Sequence, residues 1–113
     1  MDYKKIAGDR IRQAREAKGL SRPQLAAMIK GLQPSTLGNY ELGLRYPSPQ
    51  NLAELSKILG EPACYLSAIE TDPNLIELLR TYYKLDSRGK RTLYRVAESE
   101  SSSYQVTPTT LEE

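Results

Sequence analysis

From Tyr3 to Lys18, apolar and charged positions alternate with the period of an amphipathic helix. The apolar positions recur every three or four residues, and lysines and arginines occupy many of the positions around them. Gly19 follows, as is typical at the end of a helix. The pattern predicts a first helix whose buried stripe consists of Ile6, Ala7, Ile11, Ala14 and Ala17.

A second, shorter helix is predicted to begin after Ser21. Serine is a good N-cap residue, and Pro23 falls in the first turn, where its missing N–H costs little. Gly31 breaks this helix. Its apolar stripe consists of Leu25, Ala26 and Ile29.

The third predicted helix, Gln33–Leu42, contains two residues that helices disfavour, Pro34 and Gly38. Leu37 and Tyr40 are its inward pair, three residues apart. Pro34 is tolerated because it lies in the first turn. Gly38 costs roughly 1 kcal/mol relative to alanine in a helix interior. We therefore expect a compensating close approach of this helix to a phosphate or to another helix.

Two further helices complete the N-terminal part of the chain. Ser48 and Pro49 open the fourth, and a shorter fifth is predicted over Pro62–Ile69. The fourth is expected to bury Leu52, Leu55, Ile58 and Leu59, and the fifth Cys64, Tyr65 and Ile69. Five short helices in succession predict a compact all-α unit over residues 1–69.

Two C-terminal helices are predicted after a hinge at residues 70–74. Asp72–Pro73 supplies an N-cap and a first-turn proline for the sixth helix. The seventh helix spans roughly Arg88–Glu98 and is capped by Asp86 or Ser87. Together they predict a helical hairpin.

The sixth helix carries an apolar stripe that is too wide for a lone surface helix, so another surface is expected to cover it. The region 70–99 is therefore predicted to be a dimerisation or interaction element, with packing back onto the N-terminal unit as the alternative. The residues predicted for dimerisation are Leu75, Leu78, Leu79, Tyr82, Tyr83 and Leu93. The Ser/Thr-rich remainder, residues 100–113, is predicted to be a disordered tail.

Composition narrows the class of protein. Of the 113 residues, 27% are charged and 39% hydrophobic, which is typical of a soluble globular protein. No apolar run reaches the roughly 20 residues that span a bilayer, and the N-terminus resembles no secretory signal, so a cytoplasmic location is expected. The chain has no histidine and a single cysteine, Cys64, which is expected to be a small buried hydrophobe. Because there is neither a Ser-His or Cys-His pair nor a phosphate-cradling glycine loop, the sequence argues against an enzyme and predicts no metal site and no cofactor.

The net charge of +2 conceals an asymmetry between the two halves of the chain. Residues 1–60 contain ten Lys/Arg and five Asp/Glu, whereas residues 61–113 contain six and nine. A polyanion is therefore expected to bind the basic N-terminal half.

Two short helices joined by a glycine-containing turn are the arrangement that places a helix in the major groove of DNA. The motif R-x-x-R-E-x-K-G-L-S spans Arg12–Ser21, L-A lies at Leu25–Ala26, and Y-E-x-G-x-R-x-P-S spans Tyr40–Ser48 before a Leu-rich helix. In this order and spacing the chain resembles the Cro and phage-repressor type of helix-turn-helix, the XRE family, over residues 6–68. The resemblance implies a five-helix repressor-type DNA-binding domain. Lys30 departs from the pattern as one extra residue in the turn before Gly31.

The resemblance implies that the third helix enters the groove. Residues at the N-terminal end of such a helix contact base edges, and Gln or Asn can bond bidentately to adenine while Ser or Thr can pair with several bases. The predicted base-reading residues are Gln33, Pro34, Ser35, Thr36 and Asn39, with Pro34 and Thr36 as van der Waals contacts. The alternative is that these are only capping and surface residues.

Phosphate contacts are expected from the N-terminus of the second helix and from flanking groups. The predicted contacts are Arg10, Arg22, Lys30, Arg45 and the hydroxyl of Tyr46, with Arg22 favoured because it lies at the positive end of the helix dipole. The resemblance also implies an interior-facing role for Arg12 or Glu16 in some members. A structural ion pair with Glu41 is thus the alternative for one of these arginines.

The leading interpretation is a sequence-specific transcriptional repressor of the phage or prophage type, acting at the nucleoid of a bacterial host cell. It is expected to bind double-stranded operator DNA as a homodimer on a palindromic site, because one short helix reads too few bases. One alternative is the antitoxin of a toxin–antitoxin pair, and another is a protein–protein adaptor with a degenerate helix-turn-helix. An antirepressor or toxin protein is the further partner considered, with residues 70–99 as its contact region.

Overall fold

A computed structural model describes residues 2–102, and all regular secondary structure among these residues is α-helical. Its helices are α1 Tyr3–Ala17, α2 Arg22–Ala27, α3 Pro34–Glu41, α4 Pro49–Leu59, α5 Ala63–Leu66, α6 Pro73–Lys84 and α7 Ser87–Ser102. The all-α prediction and the order of the elements are confirmed. α7 continues to Ser102, past its predicted end at Glu98, so residues 100–102 of the predicted tail are helical. The rest of that tail, residues 103–113, lies outside the described residues.

The helices begin where the polar side chains of the sequence cap them. Ser21 accepts a hydrogen bond from the backbone N–H of Gln24 while the Gln24 side chain accepts one from the N–H of Ser21, a reciprocal capping box. At the start of α4, the side chain of Ser48 accepts a single capping hydrogen bond from the N–H of Asn51 at 3.2 Å. At the start of α7 the cap is Asp86, whose carboxylate accepts from the N–H of Gly89 at 2.7 Å.

The core lies among the first five helices. α1, α2, α3, α4 and α5 each contribute to it, and the residues before α3 add Ile29 and Leu32. The largest fully buried side chain is Tyr40, whose hydroxyl accepts a hydrogen bond from the Asn51 side chain at 2.9 Å. The buried cluster consists of Ile11, Leu25, Ala26, Ile29, Leu32, Leu37, Tyr40, Leu52, Leu55, Leu59 and Leu66.

α1 and α3 approach so closely that their backbones are nearly in contact at Gly8. A Cβ atom built on Gly8 would lie 2.2 Å from the carbonyl oxygen of Tyr40 and 2.9 Å from that of Glu41. Only a glycine fits there without moving one of the helices. This contact sets the distance of α3 from the body of the domain.

The prediction for the fifth helix is wrong in its extent and in part of its buried set. α5 covers only Ala63–Leu66, and Leu66 rather than Ile69 enters the core. Ala68 adopts a positive φ of 64°, so the chain leaves the right-handed helical path there, and Ile69, the next residue, is 77% exposed. Cys64 and Tyr65 are half-buried.

The described chain divides after Arg80 into two compact units. In the first, α6 buries Ile76, and Arg80 donates to the Glu61 carboxylate at 2.9 Å. The second unit contains the end of α6 and all of α7, where the rings of Tyr82 and Tyr83 meet edge to face. Of the residues predicted for dimerisation, Leu75, Leu78, Tyr82 and Tyr83 are exposed, and Leu79 and Leu93 are half-buried.

Candidate DNA-binding surface

The exposed face of α3 carries the residues predicted to read bases. Gln33 is the N-cap of this helix, and its side chain makes no capping hydrogen bond, so its amide group is not used to close the helix end. Asn39 lies one turn after Ser35 on the same face, which is the i, i+4 spacing of neighbouring side chains. Four of the five predicted base readers, Gln33, Pro34, Ser35 and Asn39, are exposed, and Thr36 is half-buried.

The burial of the opposite face of α3 determines which of its side chains face the solvent. Leu37 and Tyr40 are buried in the core, as the three-residue spacing predicts. α3 contacts both α1 and α2, so it is held from two sides. The short helix therefore presents its N-terminal end and one polar face to the surface.

Arg22 occupies the first position of α2, directly after the capping box of Ser21. Its Nε donates to a carboxylate oxygen of Glu41 at 3.0 Å, and the side chain remains 41% exposed. The pairing uses only one of the five guanidinium N–H groups. The others are available to a ligand at the N-terminal end of α2, where the helix dipole also favours an anion.

Glu41 is a fully buried carboxylate held by two arginines. Arg15 forms a bidentate pair with it, at 2.7 Å from Nε to Oε2 and 2.9 Å from Nη2 to Oε1, and also donates to the carbonyl of Leu20 at 2.7 Å. The hydrogen bond with Glu41 raises the pKa of Arg15 above its ordinary value. Since a buried carboxylate without partners would be costly, the pair of arginines stabilises Glu41 at the end of α3.

Gly38 lies beneath Arg22. A Cβ built on Gly38 would meet the Nη1 atom of Arg22 at 3.8 Å, an ordinary van der Waals distance. The expected close approach to another helix is therefore an approach to a side chain of α2, and it leaves room for an alanine. Backbone crowding requires a glycine at Gly8, whereas it does not at Gly38.

The turn between α2 and α3 accommodates the additional residue. Met28 is the C-cap of α2. Ile29 is buried, with 4% of its surface exposed, and Lys30 is exposed. Gly31 has φ +82°, a left-handed conformation that a side chain would strain. The extra residue is thus absorbed in the turn, with its ammonium group at the surface.

Two of the predicted phosphate contacts already have partners within the protein. Arg10 donates to the carbonyls of Tyr65 at 2.7 Å and Glu70 at 3.0 Å, and its guanidinium lies 4.4 Å from the centre of the Tyr65 ring. The hydroxyl of Tyr46 donates its single proton to the carbonyl of Ser67. Arg10 and Tyr46 therefore have structural partners in this conformation, whereas Arg45 is exposed.

The comparison with protein families agrees with this geometry. A family model described as helix-turn-helix matches residues 11–66, from the core of α1 to the last residue of α5. Through residues 11–66 the chain carries a domain of the Cro/XRE-type helix-turn-helix family. It is accordingly a DNA-binding transcription regulator. Comparison with curated proteins and with solved structures gives no significant match.

The matched segment of this helix-turn-helix regulator contains α2, α3 and the Arg15–Glu41–Arg22 cluster. No helix among the described residues is long and apolar enough to cross a membrane.

The sequence of this regulator does not signal two residues that position the surface, Arg15 and Gly8. No sequence pattern predicts the pair of Arg15 with Glu41, although Arg15 lies four residues after buried Ile11 and so on the inward side of α1. The implied interior role of Arg12 or Glu16 is wrong, since both are exposed and pair with each other at 3.8 Å. Gly8, like Gly38, is a glycine inside a predicted helix, and such a glycine can indicate a close approach of another helix.

Proposed function

We propose that this regulator is a repressor of the phage or prophage type that binds a palindromic operator as a dimer and acts at the nucleoid of a bacterial host cell. The observation that carries the proposal is the exposed polar face of α3 together with Arg22, which Glu41 of the same helix holds at the first position of α2. In helix-turn-helix proteins the second helix of the motif reads the major groove while the first crosses the backbone. α3 and α2 suit these two roles.

The proposed base contacts are made by the side chains that protrude from α3. Gln33 and Asn39 can each donate and accept, which suits the N6 and N7 atoms of adenine, and Ser35 can pair with several base edges. Pro34 and Thr36 supply van der Waals contact. Gln33, Ser35 and Asn39 are all exposed, so binding requires no rearrangement of the core.

The proposed phosphate contacts are made by Arg22, Lys30 and Arg45. Arg22 is favoured because Glu41 orients its guanidinium and because the start of α2 attracts anions. Lys30 and Arg45 are exposed on the chain segments that flank α3. Arg10 and Tyr46 are left out of the proposed set, since two backbone carbonyls and the Tyr65 ring hold the guanidinium of Arg10, and Ser67 accepts the single hydroxyl proton of Tyr46.

Dimerisation is proposed because a helix of eight residues reads too few bases for a specific site. Two such helices about 34 Å apart would read two half-sites one turn of DNA apart. The exposed apolar side chains of Leu75, Leu78 and Tyr83 support the C-terminal region as the dimerisation element.

The test is selection of bound duplexes from a random pool by the full chain. A palindrome with half-sites 10–10.5 base pairs apart, or a multiple of that, is the expected result. A single unpaired half-site would contradict the dimer, and a pool without enrichment would contradict sequence-specific binding.

Two variants distinguish base reading from phosphate contact on the selected site. Gln33→Ala is expected to lose on the order of 1 to 3 kcal/mol at one operator position and to relax specificity there. Arg22→Ala is expected to weaken binding to all duplexes about equally. Gln13→Ala and Arg12→Ala are the matched controls, since both residues are exposed on α1 and neither belongs to the proposed contact set.

A further inference from the structure

The central stretch of α7 is the most one-sided charged segment of the C-terminal half. Residues 87–97 contain four basic residues and no acidic one, within a half of the chain whose net charge is negative. Asp86 and Glu98 are the acidic residues that flank this stretch directly, and the others lie further along the C-terminal half. The net negative charge of residues 61–113 therefore includes a locally basic segment on α7.

The basic residues of this stretch are arranged along one side of α7. Arg88, Arg91 and Arg95 follow each other at intervals of three and four residues, which places them on one face over about 10 Å of helix. All three are exposed. Within residues 2–102, none of the three has an ion-pair partner.

Aromatic side chains accompany these charges. A groove of about 450 Å³ is lined by Tyr82, Lys90, Arg91, Tyr94, Arg95 and Glu98. The ammonium group of Lys90 lies 5.0 Å from the centre of the Tyr82 ring, and Tyr94 is 67% exposed. The groove therefore offers cationic donors and a tyrosine ring at the water-exposed surface.

We infer that this basic and aromatic face of α7 is a second DNA-contacting surface, which binds the phosphate backbone of double-stranded DNA without reading its sequence. The inference rests on the proposed function, because it takes the same DNA as the ligand. Arginine, lysine and tyrosine side chains are common donors to phosphate oxygens. An identical second copy is disfavoured on this face, because it would set the unpaired arginines of the two copies against each other.

The test measures how the affinity of the full chain for duplex DNA depends on salt. Each phosphate contact that is lost reduces the slope of log K against log salt concentration by about 0.9. The double variant Arg91→Ala/Arg95→Ala is expected to lower the slope by about 1.8 on the operator and by the same amount on a random duplex. The preference for the operator over the random duplex should stay unchanged.

The matched control removes two charges from the first unit. Arg12→Ala/Lys57→Ala deletes two cations that sit in exposed ion pairs with acidic neighbours, and its slope is expected to equal that of the wild type. Restoring the charges in Arg91→Lys/Arg95→Lys should restore the wild-type slope. Circular dichroism checks that each variant keeps its helix content.

The possible outcomes separate this inference from the function on which it rests. If the wild type selects an operator and Arg91→Ala/Arg95→Ala keeps the wild-type slope, the second surface is refuted and the proposed function stands. A change from dimer to monomer in that variant, measured by light scattering with the slope per bound chain unchanged, would show a protein interface instead and refute the inference. A wild type that binds no duplex would refute both proposals.

Discussion

At the scale of single residues, Gly8 is the glycine at which an added Cβ would approach the backbone of another helix most closely. The Cβ of an alanine would lie 2.2 Å from the carbonyl oxygen of Tyr40, and the obstacle is backbone rather than a flexible side chain. Gly8→Ala is therefore expected to force α1 and α3 apart and to lower the free energy of unfolding by about 1 to 3 kcal/mol or more. Urea denaturation measures this loss. An unchanged midpoint would mean that the two helices separate at no cost.

Gly38 provides the contrasting case in the neighbouring helix. Gly38→Ala introduces a Cβ at an ordinary distance from Arg22 and removes a helix-disfavouring glycine, so it is expected to stabilise the free protein by up to about 1 kcal/mol. The same urea denaturation measures it, with Gly8→Ala as the opposite control. If the alanine variant is more stable but binds the operator less tightly, Gly38 is required for a close approach to DNA. A destabilised variant would contradict the packing described between Gly38 and Arg22.

The residues that sequence reasoning missed share a physical reason. Whether a glycine inside a helix is needed depends on what the chain brings opposite to it, and residue 40 lies 32 positions from Gly8. Arg15 likewise depends on Glu41, which no local pattern specifies. By contrast, the exposed set on α3 follows from Leu37 and Tyr40 alone, because their burial determines which side faces outward.

At the scale of elements, α2 depends on its cap. It has only six residues, too few to be stable in isolation, and Ser21 and Gln24 satisfy each other's backbone N–H groups at its start. Ser21→Ala is expected to lower the free energy of unfolding by about 1 kcal/mol. Ser21→Asp is the matched control, since it retains an oxygen acceptor at the cap position, and thermal unfolding followed by circular dichroism measures both. Equal losses in the two variants would contradict a capping role.

The boundaries of the helices show which part of the fold is local. Ser21, Ser48 and Asp86 cap α2, α4 and α7 as their side-chain chemistry predicts, because a cap is satisfied by backbone groups within three residues. α5 ends earlier than predicted because Ala68 adopts a left-handed φ, a conformation that an alanine does not signal in a sequence. Tertiary packing sets that boundary.

At the scale of the whole molecule, the division after Arg80 allows the site of dimerisation to be tested. Residues 1–80 retain every member of the buried core cluster, and Arg80 itself is held by Glu61 and lies 4.8 Å from the centre of the Tyr65 ring. A chain of residues 1–80 is therefore expected to unfold cooperatively and to keep its α3 surface. It lacks Tyr82, Tyr83 and Leu93, so it is expected to be a monomer by light scattering. Its affinity for a palindrome should then fall to its affinity for a half-site.

A point variant of the full chain separates loss of the dimer from loss of the whole segment. Tyr83→Asp places a charge on a residue that is 53% exposed, so it should weaken an apolar interface without disturbing the core. The 1–80 chain and the Tyr83→Asp variant are both expected to bind only one half-site at a time. Occupation of two half-sites requires two linked recognition helices. If the 1–80 chain remains a dimer and still binds the palindrome as tightly as the full chain, the interface lies within the first unit. In that case Tyr82, Tyr83 and Leu93 are not needed for the dimer, and an antirepressor or toxin protein becomes the candidate partner to test on them.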